Sequence, residues 1–174
     1  MKTLYTVMFC MLCSNIIAQN DFYRKDDIPV TEAGNAFLNP WAGGINYAQM
    51  GEIDLNGDGI KDLFVFDASN NRVETFINNG TANAVDYHYH NEYVSKFPAF
   101  NKWVTLKDYN CDGLEDIFCF SDVPGSMRVY RNDYTIANGL QFTLITDQLL
   151  CTYQTLSDYV RCTAETFPTF SDVD

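Results

Sequence analysis

The order of apolar and polar positions along the chain is that of strands and turns. After a polar run at 54–62 comes Leu63-Phe64-Val65-Phe66, and after a second polar run at 108–116 comes Ile117-Phe118-Cys119-Phe120. Apolar runs this short, rich in aromatic and β-branched residues, read as buried strands rather than helices. Period-two stretches predict further strands at 47–53, 73–77, 84–90, 103–106, 127–130 and 141–146, parted by turns such as Ala68-Ser69-Asn70-Asn71 and Asn78-Asn79-Gly80. No helix is predicted. The expected fold class is all-β.

The two polar runs carry the chemistry. Asp54-Leu55-Asn56-Gly57-Asp58-Gly59-Ile60-Lys61-Asp62 and Asp108-Tyr109-Asn110-Cys111-Asp112-Gly113-Leu114-Glu115-Asp116 both read D-x-N-x-D-G-x-x-D. Oxygen-bearing side chains at positions 1, 3 and 5, glycine at 6 and a carboxylate at 9 describe a loop around a hard cation. Calcium fits such a set, since it takes six to eight oxygens at roughly 2.3–2.6 Å. The glycine permits a sharp turn that aims the next carbonyl, of Ile60 or Leu114, inward. The expected ligands are Asp54, Asn56, Asp58, Ile60 and Asp62 in one loop, and Asp108, Asn110, Asp112, Leu114 and Asp116 in the other. A helix-loop-helix calcium hand is excluded, because position 12 is Val65 or Cys119 where a bidentate glutamate is needed. Each loop joins two strands.

With these residues in view, the chain resembles the FG-GAP or VCBS calcium-loop repeats from about Asn39 onward. The resemblance includes the lead-in Asn39-Pro40-Trp41-Ala42-Gly43-Gly44, Ile53 before the first loop, and the segment Arg72-Val73 to Asn78-Asn79-Gly80, echoed by Arg128-Val129-Tyr130-Arg131-Asn132. It implies four-stranded antiparallel blades of a β-propeller with calcium-binding hairpin loops, here an incomplete ring. Asp172 and Asp174 then stand at positions 1 and 3 of a third loop; starts at 54, 108 and 172 lie 54 and 64 residues apart, about one blade each. The expected organisation is a signal peptide at 1–19, a lead-in at 20–46, repeats at 47–101 and 102–165, and the start of a third at 166–174. Further blades downstream, and a sorting domain for surface attachment, are also what the resemblance implies.

Composition narrows the partners. The net charge of −12, from 23 acidic and 11 basic residues, argues against nucleic acid and anionic membrane surfaces. Much of that acidity sits in the loops, where a cation would neutralise it. No nucleophile motif or phosphate-cradling glycine loop is present, and no catalytic residue is assigned. Glu74 and Glu92 read as surface residues. His88 and His90 project from one strand face; as a metal pair they lack an evident third ligand, and packing or surface exposure is the alternative. Trp41 reads as a core anchor or as a sugar-stacking platform.

Met1-Lys2, the apolar run 4–17 and Ala18-Gln19-Asn20 form a secretory signal, its apolar run too short to span a membrane comfortably. Cys10 and Cys13 fall within it. The mature chain keeps Cys111, Cys119, Cys151 and Cys162, for which a Cys151–Cys162 bridge is the first expectation, with Cys111 free or joined to Cys119.

The functional expectation is a secreted or cell-surface, non-catalytic protein with structural calcium, serving adhesion or the binding of a glycan or protein. The alternative is the accessory propeller region of a secreted polysaccharide- or protein-degrading enzyme. Export makes one prediction. N-terminal sequencing of the secreted protein should begin at Gln19 or Asn20, and a mature product retaining Cys10 and Cys13 would refute the reading.

Overall fold

The computed structural model describes residues 25–171. The signal segment, Asp172 and Asp174 lie outside the described residues. In chain order the strands are β1 (Thr31–Glu32), β2 (Asn35–Ala36), β3 (Ala48–Ile53), β4 (Asp62–Asp67), β5 (Arg72–Asn78), β6 (Tyr87–Tyr89), β7 (Val104–Lys107), β8 (Asp116–Phe120), β9 (Met127–Asn132), β10 (Phe142–Thr146), β11 (Leu150–Tyr153) and β12 (Leu156–Tyr159). They form two four-stranded antiparallel sheets, β3-β4-β5-β6 and β7-β8-β9-β10, with two small hairpins, β1-β2 and β11-β12. The chain is all-β, and neither large sheet closes into a barrel.

The hairpins β1-β2 and β11-β12 were not foreseen, because their residues are mostly exposed and lack a buried alternation. A 3₁₀ helix at Asn91–Lys96 was missed as well. Its Glu92 and Lys96 complement the helix ends, but no residue in it is buried, so no apolar period marks it.

The two sheets stack with different faces in contact. Ile53, Phe64, Phe66 and Ile77 of the first meet Val104, Ile117 and Cys119 of the second, with Phe97, Phe100 and Leu140 completing one core. Phe64 lies opposite Thr75 and Phe118 opposite Val129, which makes Phe118 the counterpart of Phe64. Yet Phe118 faces a second core, with Trp103, Met127, Val129 and Cys162. The two sheets are therefore related by stacking in one direction. The same pairing corrects the echo read from sequence, since the counterpart of Val129 is Thr75, not Val73.

A short aromatic segment wedges each face. Phe97 and Phe100 of Phe97-Pro98-Ala99-Phe100 place their rings 4.9 and 6.1 Å from Phe64. Phe170 of Phe167-Pro168-Thr169-Phe170 lies 4.4 Å from Phe118. Between the sheets Gln49 imitates a strand: its Nε2 donates to the Lys102 carbonyl (3.1 Å) and its Oε1 accepts from Val104 N–H (2.7 Å). A Cβ at Gly51 would stand 3.0 Å from Leu106 Cδ1, so the bare backbone sets the approach of β3 to β7.

Three other expectations change. Glu74 is buried, 1% exposed, on the face covered by the lead-in; Arg72 NH2 stands 2.9 Å from its Oε1 and also donates to the Gly43 carbonyl. Trp41 is 38% exposed, so the core anchor is Trp103, at 1%. All four described cysteines are free. Cys151 is exposed on its hairpin while Cys162 points into the second core, which keeps the expected pair apart.

Asp67 closes the turn from β4 to β5. Its carboxylate accepts from Ser69 Oγ (2.7 Å), Asn70 Nδ2 (2.8 Å) and the N–H groups of Tyr47 and Ser69 (3.1 Å each). The Ser69 hydroxyl, foremost among these donors, holds the carboxyl far below its usual range. A depressed folded-state value contributes stability at neutral pH that disappears as pH falls through it. Asp67→Asn should therefore lower the melting temperature at pH 7. The difference from wild type should shrink as pH falls below about 4, the unfolded carboxyl value. Thermal melts at stepped pH check this.

Candidate functional site: paired acidic loops

Both nine-residue loops connect the first two strands of a sheet, and both are held by the same hydrogen bonds. In the first, Asp54 accepts Gly57 N–H at Oδ1 (2.7 Å) and Gly59 N–H at Oδ2 (2.8 Å). In the second, Asp108 accepts Cys111 N–H (2.7 Å) and Gly113 N–H (2.9 Å) in the same way. Asn56 and Asn110 Oδ1 take the N–H of Asp58 (3.0 Å) and Asp112 (3.2 Å). Asp58 and Asp112 Oδ1 take the N–H of Ile60 and Leu114, 2.8 Å each. These are Asx turns laid end to end, which sequence spacing alone anticipates.

Position 9 is different in kind. Asp62 and Asp116 are fully buried, begin β4 and β8, and each grips two distant backbone groups. Asp62 accepts Leu55 N–H at Oδ2 and Asn78 N–H at Oδ1, both 2.8 Å; Asp116 accepts Tyr109 N–H and Asn132 N–H, both 2.7 Å. Burial raises both carboxyls above their usual range, partly offset by these N–H donors, while Asp58 and Asp54, or Asp112 and Asp108, raise them further. Asp108 is pulled the other way, lowered first by Gly113 N–H.

Asn78 and Asn132 are the residues that sequence reading did not single out for the site. Their side-chain amides donate back to the carbonyls of Lys61 (3.1 Å) and Glu115 (3.2 Å), so the last strand residue clamps its own loop. The signal was present, for each asparagine follows its position-9 aspartate by 16 residues. Leu55 also escaped notice; it buries itself in the core, whereas its counterpart Tyr109 is exposed and packs against Phe118.

The first loop is braced by the second sheet. Tyr134 Oη donates to the Asn56 carbonyl (3.0 Å), and Lys61 Nζ meets Glu115 Oε2 at 2.5 Å. Lys61 and Glu115 stand at equivalent positions of the two loops, which this pair links.

The donor chemistry suits a hard cation. Positions 1, 3, 5 and 9 supply only carboxylate and amide oxygens, each with two lone pairs, and most of them accept a backbone N–H from within the loop or from the strand beyond it. Convergence is a separate matter. Among the described residues, no three His, Cys, Asp or Glu groups are gathered so as to hold a metal ion. Asn56 Nδ2 instead donates to Asp58 Oδ2 (2.9 Å), and Asn110 Nδ2 to Asp112 Oδ2 (2.8 Å), so an amide proton occupies an acceptor that a cation would need.

Compared with protein-family models, curated proteins and solved structures, the chain gives no match in any of the three.

The bracing generates a prediction. Gly57 has φ +79°, and a Cβ there would lie 1.8 Å from Tyr134 Oη. At the equivalent place the second loop carries Cys111 at φ +63°. Gly57→Ala should cost roughly 1–3 kcal/mol, part of it recovered in a Tyr134→Ala background. Cys111→Gly should shift stability by less than about 1 kcal/mol. Urea denaturation of the single and double variants reads both.

Proposed function

We propose that the chain is a calcium-binding repeat region of a secreted or cell-surface protein, non-catalytic, that serves adhesion or ligand binding. In this reading the two four-stranded sheets are propeller blades of the FG-GAP or VCBS kind. The observation that carries the proposal is the repetition of one loop, with one hydrogen-bond scheme, at the same place in two successive sheets. Asx turns alone need no such buried aspartate at position 9.

In the first loop Asp54, Asn56, Asp58 and Asp62, with the Ile60 carbonyl, would hold one calcium. Asp108, Asn110, Asp112 and Asp116, with the Leu114 carbonyl, would hold a second. The ion supplies positive charge, and this chain's residues supply the frame. Burial already disfavours the ionised form of Asp62 and Asp116 and neighbouring aspartates disfavour it further, so a bound cation would relieve both penalties at once. Extracellular sites of this class hold calcium at dissociation constants on the order of 10⁻⁴ to 10⁻³ M.

Calorimetric titration of metal-stripped protein should find two calcium sites. Asp58→Ala should abolish one and spare the other; Lys61→Ala should spare both. Calcium at a hundredfold excess over Kd should stabilise the fold by about 2.7 kcal/mol per site. The absence of heat and of a thermal shift at millimolar calcium would refute the proposal. Hydrolysis of polysaccharide or peptide by the repeats, abolished by Asp→Asn changes out of proportion to melting, would refute its non-catalytic part.

A further inference from the structure

Away from the acidic loops, the lead-in and β6 border an open cavity of about 170 Å³. Its lining includes Asp26, Leu38, Pro40, Trp41, His88 and His90, which brings both of the chain's histidines to one place. Trp41 Nε1 donates to the Ile28 carbonyl (2.7 Å), which fixes the indole at the cavity wall. Asn39 ties this lead-in to β6, donating to the Tyr87 carbonyl (2.8 Å) and accepting Tyr89 N–H (2.8 Å).

The polar groups around the cavity are unequally satisfied. His88 Nε2 lies 2.9 Å from Asp86 Oδ1, and His90 Nδ1 lies 2.6 Å from Glu92 Oε1. Asp86 is kept ionised foremost by the Thr81 hydroxyl and then by His88. Asp26 Oδ2, in contrast, is a buried atom with no hydrogen-bond partner among the described residues. Lys25, next to it in the chain, turns instead to Asp27 at 2.9 Å. Among the described residues, no lysine or arginine lines the cavity.

A buried carboxylate oxygen without a donor is costly, and a donor arriving from outside removes the cost. A positively charged donor gains more here, because Asp86 and Glu92 stand behind the two imidazoles. Leu38 and Pro40, in an otherwise mostly polar lining, offer contact for a methylene stem. The volume is below the roughly 300 Å³ at which drug-sized sites begin, which limits the occupant to one side chain. The histidines and Asp26 are not gathered closely enough to hold a metal ion. We propose that this cavity receives a single basic side chain, lysine or arginine, presented by an exposed segment of a partner protein. The proposal specifies a ligand class for the binding role given above and rests on that reading, but it uses no residue of the loops.

The test uses the secreted protein in calcium. Tryptophan fluorescence and calorimetry follow titration with N-acetyl-lysine methylamide, N-acetyl-arginine methylamide, the neutral N-acetyl-norleucine methylamide and methyl glucoside. Saturable millimolar binding of the two cationic probes alone is expected, weakened at least about tenfold by Asp26→Asn and also weakened by Trp41→Ala. Because Asp26→Asn removes the charge from a half-buried side chain whose Oδ2 lacks a donor, its melting temperature should equal or exceed that of wild type. Equal binding of norleucine amide or of the glucoside would overturn the proposal. So would a lowered melting temperature in Asp26→Asn, or no saturable binding of either cation. A calcium titration on the same sample keeps the two readings apart, since intact loop sites with an empty cavity refute this inference alone.

Discussion

One interaction underlies both halves of the molecule: a fully buried aspartate that accepts a backbone N–H from the start of its own loop and another from the last residue of the third strand. Charge-assisted bonds of this kind are among the stronger ones available, and they oppose the desolvation that pushes Asp62 and Asp116 toward their neutral forms. The geometry closes three strands into one unit. Because Asn78 and Asn132 return a hydrogen bond to the residue just before the aspartate, the loop and the far edge of β5 or β9 cannot move independently.

Stacking follows from that unit. The first sheet's aromatic face, carrying Phe64, meets the Ile117–Cys119 face of the second, whose own aromatic face carries Phe118. Such contacts are heterologous: the surface that gives and the surface that receives differ. Gln49 and Gly51 set the distance at one end of the contact, and Tyr134 supports the loop at the other.

Much of this was legible in the residues. The short apolar runs after each loop became β4 and β8, and the period-two stretches became the remaining strands of two four-stranded sheets. The Asx turns followed from loop spacing because they depend only on neighbours in the chain. What depended on distant partners was not visible. Glu74 read as a surface residue, yet the lead-in folds across it, and nothing near Lys61 in the chain announces its contact with the second loop. The exposed hairpin β11-β12 escaped because a strand without a buried face leaves no periodic trace. Asp26 and the two histidines, 62 and 64 residues apart in sequence, share a cavity only because Asn39 pins the lead-in against β6.

The Lys61–Glu115 pair has a consequence for how such a chain can arise. The two residues occupy the same position of their respective loops, and the fold brings them to 2.5 Å. A freshly duplicated unit would carry the same residue in both places, setting ammonium against ammonium or carboxylate against carboxylate. As a partly exposed pair it adds little stability, but the mismatched alternative is repulsive. Neighbouring copies are therefore driven apart in sequence at this point by their own contact. At this one position, repetition of a charged residue is what the junction disfavours, and the difference between the loops there has a physical cause.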